Sequence, residues 1–126
     1  ASTVNELLAA SYNETHLKKR LKEQLFLVAE EDDEIIGFAK FIYGEELYLA
    51  AHYVRPQSQH KGYGTSLLKE GLNQFKDRYD TVYLEVDNKN NHGIDYYKEN
   101  GFEIVRSYQP EMYGETMDLA LMKKTF

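Results

Sequence analysis

The chain has 126 residues, 42% hydrophobic and 29% charged, which suits one domain over residues 1–126 with a substantial core. It contains no cysteine, so disulfides, thiolate nucleophiles and cysteine-ligated metals are excluded, and a reducing cytoplasm is the compatible location. Its net charge of −6 argues against a nucleic-acid partner, and no apolar run reaches the ~20 residues of a membrane span or opens the chain as a signal peptide.

In chain order, residues 14–25 carry Leu17, Leu21 and Leu25 four apart with Lys and Arg opposite, which predicts an amphipathic helix capped by Asn13 or Thr15. Residues 26–30 read as a strand, Glu31 to Glu34 as an acidic turn, and Ile35 to Tyr43 as the second half of a hairpin. Leu47 to Val54 (LYLAAHYV) is apolar on both faces, so a central strand is expected, stopped by Pro56. Residues 65–78 predict a helix with Leu67, Leu68, Leu72 and Phe75 on one side, and 81–87 (TVYLEVD) a strand. A short helix at 91–99 should end at Gly101, and two strands at 102–108 and 116–123 close the chain around Pro110 and Gly114. This order describes an α/β (α+β) domain, a mixed central sheet flanked by helices. The segment 47–87 is expected to form a parallel right-handed crossover.

The first chemical motif is Gln59-His60-Lys61-Gly62-Tyr63-Gly64-Thr65, between a strand and a helix. Glycines allow tight turning and close approach, and the helix start directs unpaired N–H groups and a positive dipole end at one point. A phosphate or pyrophosphate suits that place, although the pattern alone also fits an ordinary turn. It is neither a Walker loop nor a dinucleotide fingerprint. The second motif is Leu84-Glu85-Val86-Asp87-Asn88-Lys89-Asn90 followed by Tyr96-Tyr97-Lys98-Glu99-Asn100-Gly101-Phe102.

Together, VRPQSQHKGYGTSLL and LEVDNKNNHGIDYYKENGF resemble the two core motifs of the GNAT superfamily of N-acetyltransferases, in order and at about the right separation. The resemblance implies the GNAT acyl-CoA N-acyltransferase fold, acetyl-coenzyme A as co-substrate, no metal, and a small amine as acceptor. It implies that Gln59, His60, Lys61, Gly62, Tyr63, Gly64 and Thr65 form the pyrophosphate loop, with amides of 60–65 toward the phosphates. It likewise implies that the backbone of Tyr53 and Val54 pairs with the pantetheine arm, that Asn90 contacts that arm, and that Tyr97 protonates the departing thiolate. A phenol, with an ordinary pKa of about 10, can serve as that acid.

For the base, Glu85 stands in the LEV context where some relatives place theirs, in surroundings that could raise a carboxyl pKa. His52 is the alternative, since imidazole titrates near neutrality; ordered water without a single base is a third. His16, His60 and His92 show no metal-ligand spacing with acidic partners.

The family normally begins with a strand and helix ahead of the helix expected at 14–25. Only about a dozen residues precede it here, so a domain short of that first strand and helix is expected, with an open sheet edge beside 26–30. A homodimer through sheet edges or the C-terminal hairpin is compatible with this pattern. The outer text, SYNETHLKKRLKEQLFLVAE and SYQPEMYGETMDLALMKK, looks like the PaiA-type polyamine acetyltransferases of bacteria. That suggests a polyamine acceptor, with Glu45, Glu46, Glu111 and Glu115 either rimming its site or standing as surface charge. A protein or peptide amine, and a non-catalytic acyl-CoA-binding regulator, remain the alternatives.

Overall fold

The computed structural model describes residues 21–126, with side chains from Glu23 onward. The strands are β1 (Leu21–Glu31), β2 (Glu34–Gly44), β3 (Leu47–Val54), β4 (Thr81–Asp87), β5 (Glu103–Tyr108), β6 (Glu111–Met112), β7 (Glu115–Thr116) and β8 (Leu119–Thr125). The helices are α1 (Tyr63–Phe75) and α2 (Asn91–Glu99), and a 3-10 turn covers Pro56–Ser58. Six strands form one mixed sheet in the order β1-β2-β3-β4-β8-β5. The GNAT fold expected from the motifs is therefore present, with β3 inside the sheet and β1 at the edge of its described part.

Residues 21–25 correct the expected helix: they begin β1 and pair with β2. Leu25, Leu27 and Ala29 pack toward the core at a spacing of two while Phe26 and Val28 are exposed, so the strand period prevails over the four-residue leucine spacing. The rest of that expected helix, and the expected lack of a first strand and helix, lie outside the described residues. At the acidic turn, Asp32 and Asp33 both have positive φ, the conformation of a two-residue primed hairpin turn. Near the C-terminus the last strand runs over 119–125 rather than 116–123. The segment before it folds into the small β6–β7 ribbon, a local pairing that short polar strands conceal from periodicity.

Helix α1 buries Leu67, Leu68, Gly71, Leu72 and Phe75, in a core shared with Phe41, Leu49, Leu84, Val86, Ile94, Tyr97 and Met122. A Cβ at Gly71 would stand 2.1 Å from the Phe41 ring, so helix and sheet touch where no side chain fits. Helix propensity alone predicts that Gly71→Ala stabilises by about 1 kcal/mol. The buried clash opposes this with about 1–3 kcal/mol of overpacking. We expect a net loss, read as a lower Tm, and a raised Tm would refute the packing argument.

Two irregularities shape the site. Register between β2 and β3 shifts from Lys40↔Ala51 to Phe41↔Leu49, which leaves Ala50 as an extra residue. A bulge of this kind moves the following side chains to the other face. His52 and Val54 thereby join Leu47 and Leu49 on the helix-covered side. The second irregularity is that β3 and β4 run parallel but pair only at Tyr48↔Tyr83. Beyond that point their C-terminal halves separate.

Candidate active site

The separation of β3 from β4 opens into a cleft of about 350 Å³. Its lining comes from the end of β3, the loop 58–65, Val86, and the α2 residues that include Tyr96 and Tyr97. Tyr53 and Val54 pair with β2 through Phe38 and Gly37, while their other edge faces the gap. The expected pantetheine edge is thus at the cleft wall.

The loop enters α1 through Gly62, whose φ of 88° is the left-handed conformation that glycine adopts without strain. His60 also has a positive φ, of 64°. The first helical bond runs from the Ser66 amide to the Gly62 carbonyl at 2.9 Å. The amides of Tyr63, Gly64 and Thr65 therefore precede the helical ladder, at the positive end of the helix dipole and on the cleft. Gln59 ties the loop back to the strand, its Nε2 donating to the Val54 carbonyl at 2.8 Å. Lys61 stands apart from its loop neighbours: its ammonium lies 3.2 Å from the Glu31 carboxylate, and it does not line the cleft.

Three polar or charged side chains are buried among the described residues: His52, Ser58 and Glu85. His52 Nε2 is 2.7 Å from the Gly64 carbonyl, which can only accept, so this nitrogen carries the hydrogen. Nδ1 is 3.0 Å from the Tyr97 hydroxyl. Burial depresses the His52 pKa against the weaker opposing effect of the Gly64 bond, so the ring is neutral at pH 7. In that tautomer Nδ1 is a lone pair, and Tyr97 donates to it. Both ring nitrogens are engaged.

Tyr97 is buried in α2 against Phe102 and Tyr96. Its pKa is pushed well above that of a free phenol, by burial first and by neighbouring Tyr96 second. Tyr96 lies beside it, its hydroxyl 2.9 Å from Thr65 Oγ1, and burial raises its pKa too.

Glu85 lies across the sheet from these groups. Along β4, Val82, Leu84 and Val86 face the helices, so Glu85 faces the other way. It is buried and accepts a hydrogen bond from the Tyr108 hydroxyl. Asn90 lines the cleft and caps α2, its Oδ1 accepting from the Gly93 amide at 2.9 Å. Position 93 has little room for a side chain, since a Cβ would stand 2.4 Å from the Asn90 amide nitrogen. The structure also brings in residues that motif reading missed. Ser58 lines the cleft from within the first motif, Glu31 bonds the loop residue Tyr63 from outside the cleft lining, and Tyr108 bonds Glu85 from β5, and no local pattern marks these pairings.

A family model for the GNAT acetyltransferases matches residues 3–102. The chain belongs to the GNAT acetyltransferase family. Among curated relatives it is 35% identical over 78 residues to the peptidyl-lysine N-acetyltransferase YiaC of Escherichia coli, covering 62% of this chain and 49% of that one. It thus spans about half of that relative's length. It is 30% identical over 122 residues to an N-alpha-acetyltransferase of Sulfurisphaera tokodaii, covering 85% and 71%. Among solved structures, the PaiA N-acetyltransferase of Thermoplasma acidophilum in complex with coenzyme A aligns with a TM-score of 0.66 and 27% identity, covering 97% of this chain and 68% of that one.

Proposed function

We propose that this chain moves an acetyl group from acetyl-coenzyme A to a primary amine by direct attack of nitrogen on the thioester carbonyl. One observation carries the reading: proton-handling groups are buried on both sides of the β3–β4 gap, Tyr97 with His52 on the helical side and Glu85 on the other. The loop 59–65 would hold the pyrophosphate through its amides, and the β3 edge the pantetheine arm, which threads the thioester into the gap.

The amine would then arrive on the Glu85 side. An ammonium cannot attack, so Glu85 takes its proton. Nitrogen adds to the carbonyl, and the tetrahedral intermediate gives its second N–H proton to water. It then expels sulfur as the C–S bond breaks, and the Tyr97 proton passes to sulfur. Tyr97 regains a proton from solvent, which the second amine proton replaces, and Glu85 releases its own proton to complete the cycle. Overall, an ammonium and a thioester become an amide, a thiol and one released proton. In the resting site the Tyr97 hydrogen lies on His52, a neutral acceptor. A thiolate is the stronger acceptor because it is charged, so the hydroxyl turns to sulfur only as charge develops there. An interaction made late in this way lowers the barrier without tightening ground-state binding.

For the acceptor, the net charge of −6 supports a polycationic small amine such as a polyamine. The likeness to PaiA at both ends of the chain points the same way. A peptide amine is the second reading, favoured by relatives named for peptidyl-lysine and N-alpha acetylation. Thiol release measured with spermidine, a lysine peptide and a free-N-terminus peptide tests both. The proposal expects the highest kcat/KM with spermidine. A tenfold advantage for either peptide transfers the assignment to protein amines. Acetyl-CoA binding without turnover on any amine would remove the catalytic reading altogether.

A further inference from the structure

Glu31 is the last residue of β1, yet its carboxylate belongs to the cofactor loop. Tyr63 Oη donates to its Oε2 at 2.7 Å, Lys61 Nζ to the same oxygen at 3.2 Å, and Ser58 Oγ to Oε1 at 3.2 Å. Arg55 closes the group: its Nε donates to Ser58 Oγ at 2.9 Å, its Nη2 lies 3.7 Å from Glu31 Oε1, and its Nη1 donates to Glu34 at 2.8 Å. Ser58 is wholly buried. One carboxylate therefore holds the loop before its bend, within it, and at the first residue of α1.

The loop requires such a hold. It contains two left-handed residues within three positions, His60 at φ 64° and Gly62 at φ 88°, and the first is not a glycine. A non-glycine residue in that region persists only where its surroundings impose it. Glu31 lies outside the cleft lining, so its influence on a ligand passes through the loop.

We infer that Glu31 is a positioning residue for the pyrophosphate loop: it sets the amides of residues 60–65 in their phosphate-receiving arrangement before acetyl-CoA arrives. The inference rests on the reading of that loop as the pyrophosphate site. Two physical pictures of Glu31 predict opposite signs. If the carboxylate acts chiefly by charge, its removal frees Lys61 and Arg55 beside an anionic ligand, and binding tightens. If it acts by preorganisation, its removal lets the loop sample other conformations, and binding weakens.

The experiment compares Glu31→Gln with the unaltered chain, using acetyl-CoA and S-acetylpantetheine, a donor lacking the pyrophosphate. We expect KM and Kd for acetyl-CoA to rise about tenfold with kcat within twofold, and KM for S-acetylpantetheine to stay unchanged. Tyr63→Phe, which removes the shortest bond to Glu31, should move acetyl-CoA binding in the same direction by less. An unchanged or lower KM for acetyl-CoA overturns the inference, as does equal damage with both donors, which would mark general misfolding. Thr65→Asp separates the two layers by placing a carboxylate at the start of α1. If it leaves acetyl-CoA affinity intact, the loop is not the phosphate site and the inference falls with it. If it abolishes binding while Glu31→Gln does nothing, the Glu31 assignment alone fails.

Discussion

Phenylalanine at position 97 is expected to lower kcat about 10²-fold while leaving acetyl-CoA affinity within twofold, a loss of about 2.7 kcal/mol of transition-state stabilisation. Tyr97 lines the cleft with its hydroxyl on His52. Burial keeps that phenol protonated, so no alkaline limb from Tyr97 should appear below about pH 10. A phenol with a raised pKa is a weak acid in water, but the thiolate forms in the same apolar cleft and its basicity rises with it. The substitution also leaves the buried Nδ1 of His52 without its donor, at a stability cost of about 1–3 kcal/mol. Catalysis and stability must therefore be separated. An acetyl aryl thioester, whose thiolate leaves without protonation, provides the means. With that donor the deficit in kcat/KM should shrink to a few-fold, whereas loss of structure would impair both donors alike. A full deficit with the aryl thioester, or none with acetyl-CoA, would remove the acid role.

How much of this site was legible in the sequence depended on whether a residue's role was local. Tyr97, Gly62 and the helix starts sit in short motifs, and their chemistry follows from a strand end, a turn and a helix in succession. Strand β4 and helix α2 fall on their expected ranges, because alternating apolar residues mark the strand and Gly101 marks the end of the helix. Pairings between distant segments were not legible. Glu31 meets Tyr63 across 32 residues and Glu85 meets Tyr108 across 23, and nothing in either local text announces the partner. His52 was visible as a titratable group. Its orientation toward Tyr97 follows from the bulge at Ala50, which depends on register with β2 rather than on β3's own residues. The early leucine spacing misled for a related reason. Leu25 suits a helix face at that spacing, yet pairing with β2 makes it a strand residue that packs toward the core with Leu27 and Ala29.

Glutamine at position 85 provides the sharpest test of the two-sided mechanism. A primary amine with a pKa near that of lysine, about 10.4, is neutral in only about one molecule in 10³ at pH 7. A base that takes the proton at the site can therefore offer up to about three decades of rate. We expect Glu85→Gln to lower kcat/KM for the amine by about 10²–10³-fold at pH 7. The loss should narrow steadily as pH rises toward the amine's own pKa, because solvent then performs the deprotonation. Glutamine keeps a carbonyl oxygen able to accept from Tyr108, so the fold should persist with little change in Tm. Acetyl-CoA affinity should also be unaffected, since Glu85 points away from the helical face on which the loop 59–65 lies. A deficit of equal size at pH 7 and pH 9.5 would show that Glu85 acts by placing the amine rather than by taking its proton. The absence of any deficit would leave ordered water as the base, with Tyr97 the only side chain acting on the reacting atoms.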